Sequence, residues 1–355
     1  MKPKIQVRKL EEQDFDSLIN DLNPWAYKKR GQPFLEWLNR CPSHEGISLV
    51  AILDSKVIAY YGTITVPLKV GDQTVFSYRG GIFVHPNFRR NPFNLLNLLV
   101  RAMHAEIKKN EGVTYGFPIF RLVKYYTKRI KIISLKTIPR YIFILKVTYV
   151  FGHFLKHEKT LNFIGRRFEP LMRYRLGLIK IFAPSEVEVV AITFFDKRFD
   201  ALWEKASSTH LILSTRTAEF LNWRYFDEPG KRYMVFAAKK EGDILGFIIL
   251  KEPEAPDPGK GVIVDLLDLQ NPRITKALIL HAIHYFEIRG VDRIEFFVSN
   301  PYYEKILKST CFLKRPNNPR GAERLFAKSY APGIKKGTFE NPSHWFITTA
   351  DMMFA

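Results

Sequence analysis

An internal repeat is the feature that most constrains the fold of this chain. The segment Phe34–Pro42 (FLEWLNRCP) recurs in altered form as Phe220–Pro229 (FLNWRYFDEP), and each copy leads into two apolar segments separated by a polar turn. Trp37 and Trp223 stand 22 and 23 positions before matching small residues of the second segment. The same motif followed by the same hairpin at the same offset indicates a duplication. The sequence therefore predicts two related units, with both tryptophans as packing anchors.

Length and composition allow two such units. A chain of 355 residues exceeds the usual single-domain size, and a hydrophobic content of 46% excludes a disordered protein. Cys41 and Cys311 are too few for a disulfide framework, and the charged N-terminal region has no signal pattern. No run of about 18 apolar residues occurs. We therefore expect a cytoplasmic protein.

A predicted strand, a basic hinge and a predicted helix follow one another between Val75 and Lys109. The strand is rich in β-branched and aromatic residues and contains Gly80 and Gly81, where a bulge or a close backbone approach is expected. The helix opens at Pro92, and apolar residues then recur at helical spacing. Two arginines at such a helix N-terminus predict a site for phosphate or pyrophosphate. They are Arg89 and Arg90.

This stretch resembles the acyl-CoA-binding segment of GNAT-type N-acyltransferases. The matching residues are Val84–Asn94, VHPNFRRNPFN, beside the family pattern V-x-P-x-Y-R-G-x-G-I. Downstream, Tyr115–Pro118 and Tyr125–Lys128 resemble the next strand of the family and its Y-x-K-L-G-F helix. Arg90 and Pro92 stand where the family has loop glycines. Pro92 cannot donate a hydrogen bond to a pyrophosphate, whereas Arg90 can replace a lost backbone donor with a charged one.

The resemblance implies an α/β (α+β) fold of tandem GNAT-like domains, each a mixed central sheet flanked by helices. It implies acetyl-CoA, or another acyl-CoA, as co-substrate and no metal. Tyr126 matches the tyrosine that protonates the departing thiolate in many of these enzymes, with a packing role as the alternative. His85 is a second catalytic candidate, as a general base at the end of the strand. The predicted CoA-binding residues are Phe83, Val84, Arg89, Arg90, Asn91, Phe93 and Asn94.

The second copy continues in the same order. Gly261–Asp268 and Arg293–Val298 are predicted strands around the amphipathic helix Ile274–Ile288, and Asn300–Phe312 resembles the closing element of the family. The hinge Leu269–Arg273 lacks the arginine pair and the glycines. We therefore expect CoA to bind the first copy alone.

The middle of the chain carries most of its excess charge. Residues 121–186 contain 15 Lys and Arg against three acidic residues, a balance of +12 within a total of +20, interleaved with large apolar residues. We predict domains at 1–130 and 187–355, joined by a basic, mostly helical connector at 131–186. Three roles stay open for residues 121–186: a solvated linker, a surface for anionic lipid, or a nucleic-acid contact. With the lipid role the protein would be peripheral at the inner membrane face.

The end of the chain resembles that of tandem GNAT proteins. Trp345–Met353 is similar to the pattern W-x-x-T-x-x-D-x-D, with Met353 in place of the last acid. In two-domain relatives such as N-myristoyltransferases the terminal carboxylate serves as base, which makes Ala355 a candidate. Asp351 is expected to be a cap or turn residue.

Two classes of function follow from the sequence. The first is an N-acyltransferase that acts on a small-molecule amine, with an amino sugar or a surface-polysaccharide precursor suggested by resemblance. The second is a non-catalytic binding protein on the same scaffold, which docks on a membrane or a partner. Aminoacyl transfer from charged tRNA, as in Fem-type proteins, is a further possibility within the enzyme class.

Overall fold

The computed structural model describes residues 5–22, 31–43, 45–88, 92–151, 187–230, 233–255, 257–316 and 323–352, together with residues 170 and 177. Within them the chain forms two mixed sheets with helices packed on them. No helix in these ranges has both the length and the hydropathy needed to cross a bilayer.

Within the described residues, the first half of the chain contains seven strands and five α-helices. They are β1 (Gln6–Lys9), α1 (Phe15–Ser17), α2 (Gln32–Asn39), β2 (Ser48–Leu53), β3 (Lys56–Val70), β4 (Gln73–Val84), α3 (Pro92–Lys109), β5 (Val113–Gly116), α4 (Val123–Tyr125), β6 (Ile133–Thr137), β7 (Arg140–Ile144) and α5 (Val147–Phe151). A π-helical turn, Tyr126–Ile130, continues α4.

With an additional short strand between its first two helices and two short helices at its end, the second half follows the same order of elements within the described residues. They are β8 (Glu188–Ile192), α6 (Lys197–Ser208), β9 (Ile212–Ser214), α7 (Ala218–Tyr225), β10 (Tyr233–Lys240), β11 (Asp243–Lys251), β12 (Lys260–Asp268), α8 (Pro272–Ile288), β13 (Arg293–Phe297), α9 (Pro301–Ser309), β14 (Leu313–Lys314), β15 (Arg324–Ser329), α10 (Lys336–Phe339) and α11 (Thr349–Met352).

Both predicted hairpins form, and their turns explain why. The β2–β3 turn places Asp54 and Ser55 at φ of 48° and 63°, and the β10–β11 turn places Glu241 and Gly242 at 52° and 90°. Short polar residues and glycine tolerate this left-handed conformation best, so the turn chemistry closes each hairpin at its predicted position. The helix that follows each hairpin's next strand begins at a proline, as predicted for α3.

The two sheets have matching strand orders. One runs β1-β2-β3-β4-β5-β15-β6, with β9 also paired to β3, and the other runs β8-β10-β11-β12-β13-β7-β14. In each sheet the strand before the last comes from the other half, because β15 pairs with β5 and β6 while β7 pairs with β13 and β14. The predicted class of two GNAT-like mixed sheets flanked by helices is confirmed.

The strand exchange corrects the predicted connector. Residues 133–144 are strands β6 and β7 instead of helix, and most of residues 152–186 lie outside the described part of the chain. β7 begins with the charged residue Arg140, but Tyr141, Ile142 and Phe143 are all buried. A strand buried on both faces reads as a short apolar run, and such a run does not by itself distinguish helix from strand. The boundaries 1–130 and 187–355 stay a prediction, since each sheet contains a strand from beyond them.

The repeated tryptophans meet at the junction of the halves. The rings of Trp37 and Trp223 stack with centroids 4.5 Å apart and planes 6° from parallel. Trp37 Nε1 donates to the carbonyl of Trp223 at 2.8 Å, and Trp223 Nε1 donates to the carbonyl of Trp37 at 2.9 Å. This reciprocal contact gives both residues the packing role that their recurrence predicts.

Candidate functional site

A cleft opens between β4 and β5 because these parallel strands pair only near their beginnings. The ladder joins Ser77 to Val113 and Tyr78 to Thr114, whereas β4 continues to Val84. Beyond that ladder, from Gly80 to Ile82, β4 pairs with β3, and no pairing with β5 occurs within the described residues. Its second edge can therefore offer backbone N–H and C=O groups to a bound chain. A cavity of about 130 Å³ lies in the divergence.

Gly80 lets β4 lie close to β3 at the cavity wall. A Cβ at this position would clash with the carbonyl oxygen of Gly62 and lie 2.7 Å from the Cα of Thr63. The β3–β4 register nevertheless runs without a break along the whole of β4. Of the two expectations for this glycine, the close approach is therefore confirmed, and the bulge is wrong.

Tyr126 lies in the cavity wall, at the start of the turn that follows α4. Its phenol lies close to that of Tyr61 on β3. Burial, and then the nearby phenols of Tyr61 and Tyr125, raise the pKa of Tyr126 well above its ordinary value. Burial also raises the pKa of Tyr61 to about 12. Both phenols are thus protonated at neutral pH and can act as hydrogen-bond donors.

His104, on α3, also lines the cavity. Its Nδ1 lies 2.9 Å from the hydroxyl of Tyr330. Burial, and then the charge of Lys328, lower the pKa of this imidazole to about 4, so it is neutral at pH 7. Sequence reasoning missed His104, although a signal exists: it follows Val100 by four positions and precedes Ile107 by three, so it lies on the buried stripe of the helix.

Asp351, from the C-terminal α11, brings a buried carboxylate to the cavity. Its Oδ1 accepts hydrogen bonds from the hydroxyls of Tyr115, at 3.0 Å, and Ser214, at 2.9 Å. Its Oδ2 accepts from the backbone N–H of Thr348 at 3.0 Å, which is the cap or turn role that the sequence predicts. The hydroxyl contacts show that the residue is also part of a larger network.

Two buried arginines connect this carboxylate to both sheets. Arg79 of β4 lies 3.4 Å from Asp351, and Arg216 lies 3.7 Å from it. Arg216 also forms a two-pronged pair with Asp265 of β12, at 2.9 and 3.1 Å. Burial alone lowers the pKa of Arg216, but the carboxylates of Asp265 and Asp351 raise it above its ordinary value. The network therefore holds α11 at the cavity through charges from both halves.

Four of the predicted CoA-binding residues lie at the end of β4 and the start of α3. Phe83 and Val84 are partly buried and pack against different apolar clusters of the first half. Phe93 and Asn94 are in the first turn of α3. Residues 89–91, with the arginine pair and Asn91, lie outside the described part of the chain, as does Ala355. Their binding and catalytic roles stay predictions.

His85 lies just beyond β4 and not in the described wall of the cavity that contains Tyr126. The ring Nδ1 of His85 accepts a hydrogen bond from the backbone N–H of Asn87 at 3.2 Å. The backbone N–H of His85 donates to the carbonyl of Ile58 at 2.9 Å. These bonds give His85 a local role in ending the strand. The structure therefore does not bring the two predicted catalytic side chains to one cavity, and a general-base role for His85 stays a prediction.

The matching cleft of the second half contains the chain's own C-terminal segment. β12 and β13 also pair only at their beginnings. Beyond that point Val298 bridges to Thr348, and Ser299 Oγ donates to the carbonyl of Trp345 at 2.7 Å. Phe346 stacks on Tyr303 with centroids 5.4 Å apart. The cleft of the first half therefore contains a cavity, whereas the cleft of the second half contains protein side chains and backbone.

A larger open groove of about 920 Å³ lies beside Trp37 and Trp223. Two of its carboxylates have structural partners: Asp196 caps α6 and pairs with Arg198, and Asp200 accepts the backbone N–H that opens α7 at 2.7 Å. We place the chemistry in the smaller cavity instead, because buried phenols, an imidazole and a carboxylate converge there.

Comparison with known proteins finds similarity in three dimensions. No known family model matches the chain, and no curated protein sequence does. Among solved structures, N-myristoyltransferase of Saccharomyces cerevisiae with bound myristoyl-CoA is 12% identical with a TM-score of 0.57, over 92% of this chain and 83% of that one. A protein of unknown function from Enterococcus faecalis, for which N-acyl transfer has been suggested, is 12% identical with a TM-score of 0.61, over 92% and 72%.

A third structure, a suggested acetyltransferase from Pyrococcus horikoshii, is 11% identical with a TM-score of 0.55 and covers 99% of this chain and 95% of that one. Similarity at this level of identity establishes the fold. Together with the two matching sheets, it shows that this chain has the fold of GNAT-type acyltransferases in a tandem, two-half form.

Proposed function

We propose that the protein is an N-acyltransferase that moves an acyl group, acetyl in the first instance, from acyl-CoA to an amine. The observation that carries this proposal is the convergence of a protonated Tyr126 with an open β4 edge in one cavity. The fold alone would not suffice, because one fold supports many activities. That several structures of the same fold belong to acyltransferases raises the weight of this interpretation.

In this proposal the parts of acyl-CoA follow the strand-to-helix connection. The pyrophosphate lies at the N-terminus of α3, where unpaired N–H groups and the predicted pair of Arg89 and Arg90 attract it. The pantetheine amides pair with the open edge of β4, as a short added strand would. The thioester then reaches the cavity beside Tyr126 and Tyr61.

The chemistry needs a nucleophile and a proton for the leaving group. The deprotonated amine attacks the thioester carbon, a C–N bond forms, and the C–S bond breaks with the electron pair going to sulfur. Tyr126 donates its proton to the thiolate and is reprotonated, directly or through water, by the proton that the attacking nitrogen loses as it becomes an amide. Positioning of the amine contributes most of the rate. His104 is neutral and can accept a hydrogen bond from the amine at the same cavity.

The acceptor is proposed from the resemblance: an amino sugar or another amine of a surface-polysaccharide precursor. The net charge of +20 favours anionic acceptors in encounter, without defining the reacting group. The non-catalytic binding protein and the tRNA-dependent transferase stay as alternatives, since neither requires a CoA site.

Tyr126→Phe tests the proposal, with Tyr125→Phe as the matched control. Tyr125 is the neighbouring phenol, and its hydroxyl donates to Asn97 Oδ1 at 3.2 Å instead of lining the cavity. With acetyl-CoA and a panel of amino sugars, thiol release should fall by about 10²–10⁴-fold in Tyr126→Phe and little in Tyr125→Phe. Calorimetry should show acetyl-CoA binding retained in both. If the unaltered protein binds no CoA at millimolar ligand, the non-catalytic alternative becomes the better one.

A further inference from the structure

The loop that forms one wall of the cavity carries exposed apolar side chains. Phe117 and Pro118 line the cavity, and the next two residues, Ile119 and Phe120, are 56% and 53% exposed. Two large apolar side chains in sequence, both more than half exposed, form a surface that gains from being covered.

A group of exposed basic residues follows directly. No acidic residue occurs between positions 112 and 157. The group consists of Arg121, Lys124, Lys128, Arg129 and Lys131. All five side chains are exposed, and within the described residues none of them forms an ion pair, so their charges face solvent. Lys328 lies nearby, since its Nζ donates a hydrogen bond to the carbonyl of Ile130 at 2.6 Å. We call residues 119–131 the basic rim of the cavity.

We propose that the basic rim docks on an anionic lipid bilayer, with Ile119 and Phe120 inserted at the headgroup level and the cationic side chains against lipid phosphates. A surface with apolar residues and adjacent basic residues matches both layers of such an interface. Nucleic acid would satisfy the charges, but Ile119 has no ring to stack on a base, so the apolar pair favours lipid. The sequence leaves a lipid-binding role open for residues 121–186, and we assign that role to the basic rim, residues 119–131.

The position of the rim has a consequence for the acceptor. Because Phe117, Pro118 and Tyr126 line the cavity, docking through residues 119–131 brings the opening of the cavity to the lipid surface. The amine would then be carried by a molecule held in or on the bilayer. The docking proposal itself does not rest on acyl transfer, since vesicle binding is measured without any substrate.

Vesicle sedimentation tests this proposal with a matched control. The apolar variant combines Ile119→Ser with Phe120→Ser, and its control combines Ile288→Ser with Phe194→Ser, which are 69% and 63% exposed elsewhere. The vesicles are phosphatidylcholine alone or with about 30% phosphatidylserine, at low and high salt. The unaltered protein and the control should bind the acidic vesicles, with salt reducing the binding. The apolar variant should bind about tenfold less, as expected when two inserted side chains are lost.

A charge variant, with Lys124, Lys128 and Arg129 each changed to Gln, separates the two contributions. Each charge near an anionic surface changes binding about fivefold, so the triple variant should bind on the order of a hundredfold less. Thermal melting checks that all variants are folded. Equal sedimentation of the unaltered protein with neutral and acidic vesicles overturns the proposal. An apolar variant that binds acidic vesicles as strongly as its control also overturns it. So does rim-dependent binding to an oligonucleotide without rim-dependent binding to vesicles, which favours nucleic acid.

Discussion

Asp351 offers the sharpest test of how the cavity is held together. The residue receives hydrogen bonds from Tyr115, Ser214 and Thr348 and faces the guanidinium groups of Arg79 and Arg216. Changing Asp351 to Ala removes the acceptor for three donors and leaves two buried cations with less negative charge near them. Because Tyr115 belongs to the first half of the chain and Ser214 to the second, the loss is felt by both halves.

The expected magnitude follows from these contacts. Removing one partner of a buried charge network destabilises a protein by about 3–5 kcal/mol, because the remaining charges stay buried without compensation. Arg216 keeps its pair with Asp265 at 2.9 Å, which places the estimate at the lower end, about 3 kcal/mol. Asp351→Asn should behave similarly, since its amide brings N–H groups toward the backbone N–H of Thr348.

Urea unfolding followed by circular dichroism and tryptophan fluorescence gives the change in free energy of unfolding. Asp54→Asn is the control: this exposed turn residue has a φ of 48°, which Asn tolerates, and its change should stay within about 0.5 kcal/mol. A loss below about 1 kcal/mol for Asp351→Ala would show that the network does not hold α11 in place.

Two further predictions concern the first half. Arg89→Ala with Arg90→Ala should weaken acetyl-CoA binding in calorimetry by roughly 1.5–3 kcal/mol per lost charged hydrogen bond, while Arg273→Ala should change it little, because the second hinge offers one arginine beside a proline. His104 has a folded-state pKa of about 4 against 6.5 for the free group, so the unfolded state binds more protons between these values. The free energy of unfolding should therefore fall by about 3 kcal/mol from this residue as the pH drops from 6.5 toward 4. In urea unfolding, His104→Gln should lose less stability over this pH range, because it lacks the contribution of the imidazole.

Local patterns in the sequence predict most of the elements. The duplicated motif, the turn residues and the helical spacing depend on neighbours within a few positions, so they survive into the structure almost unchanged. The strand predicted at Gly261–Asp268 is β12, the helix predicted at Ile274–Ile288 is α8, and Pro92 begins α3. Tyr126 lies in the cavity wall, in the helical segment after the parallel strands β4 and β5, as its place in the sequence predicts.

The composition of the candidate site could not be obtained from local patterns. His104 is one polar residue on an apolar stripe, and Asp351 lies 236 positions from Tyr115, the tyrosine from whose hydroxyl it accepts a hydrogen bond. β7 and β15 each join the sheet opposite to that of the strand that precedes them in sequence. Such contacts depend on how complete sheets pack, which no short window of sequence contains.

The sequence by itself therefore determined the duplicated α/β plan, the two hairpins and the helix that begins at the basic hinge, because periodicity and turn chemistry act locally. Only the tertiary structure decided that the halves exchange strands, that the second cleft contains Trp345, Phe346 and Thr348, and that Asp351 reaches the cavity of the first half. The physical reason is that burial and charge pairing act between surfaces, and those surfaces exist only after both sheets have formed.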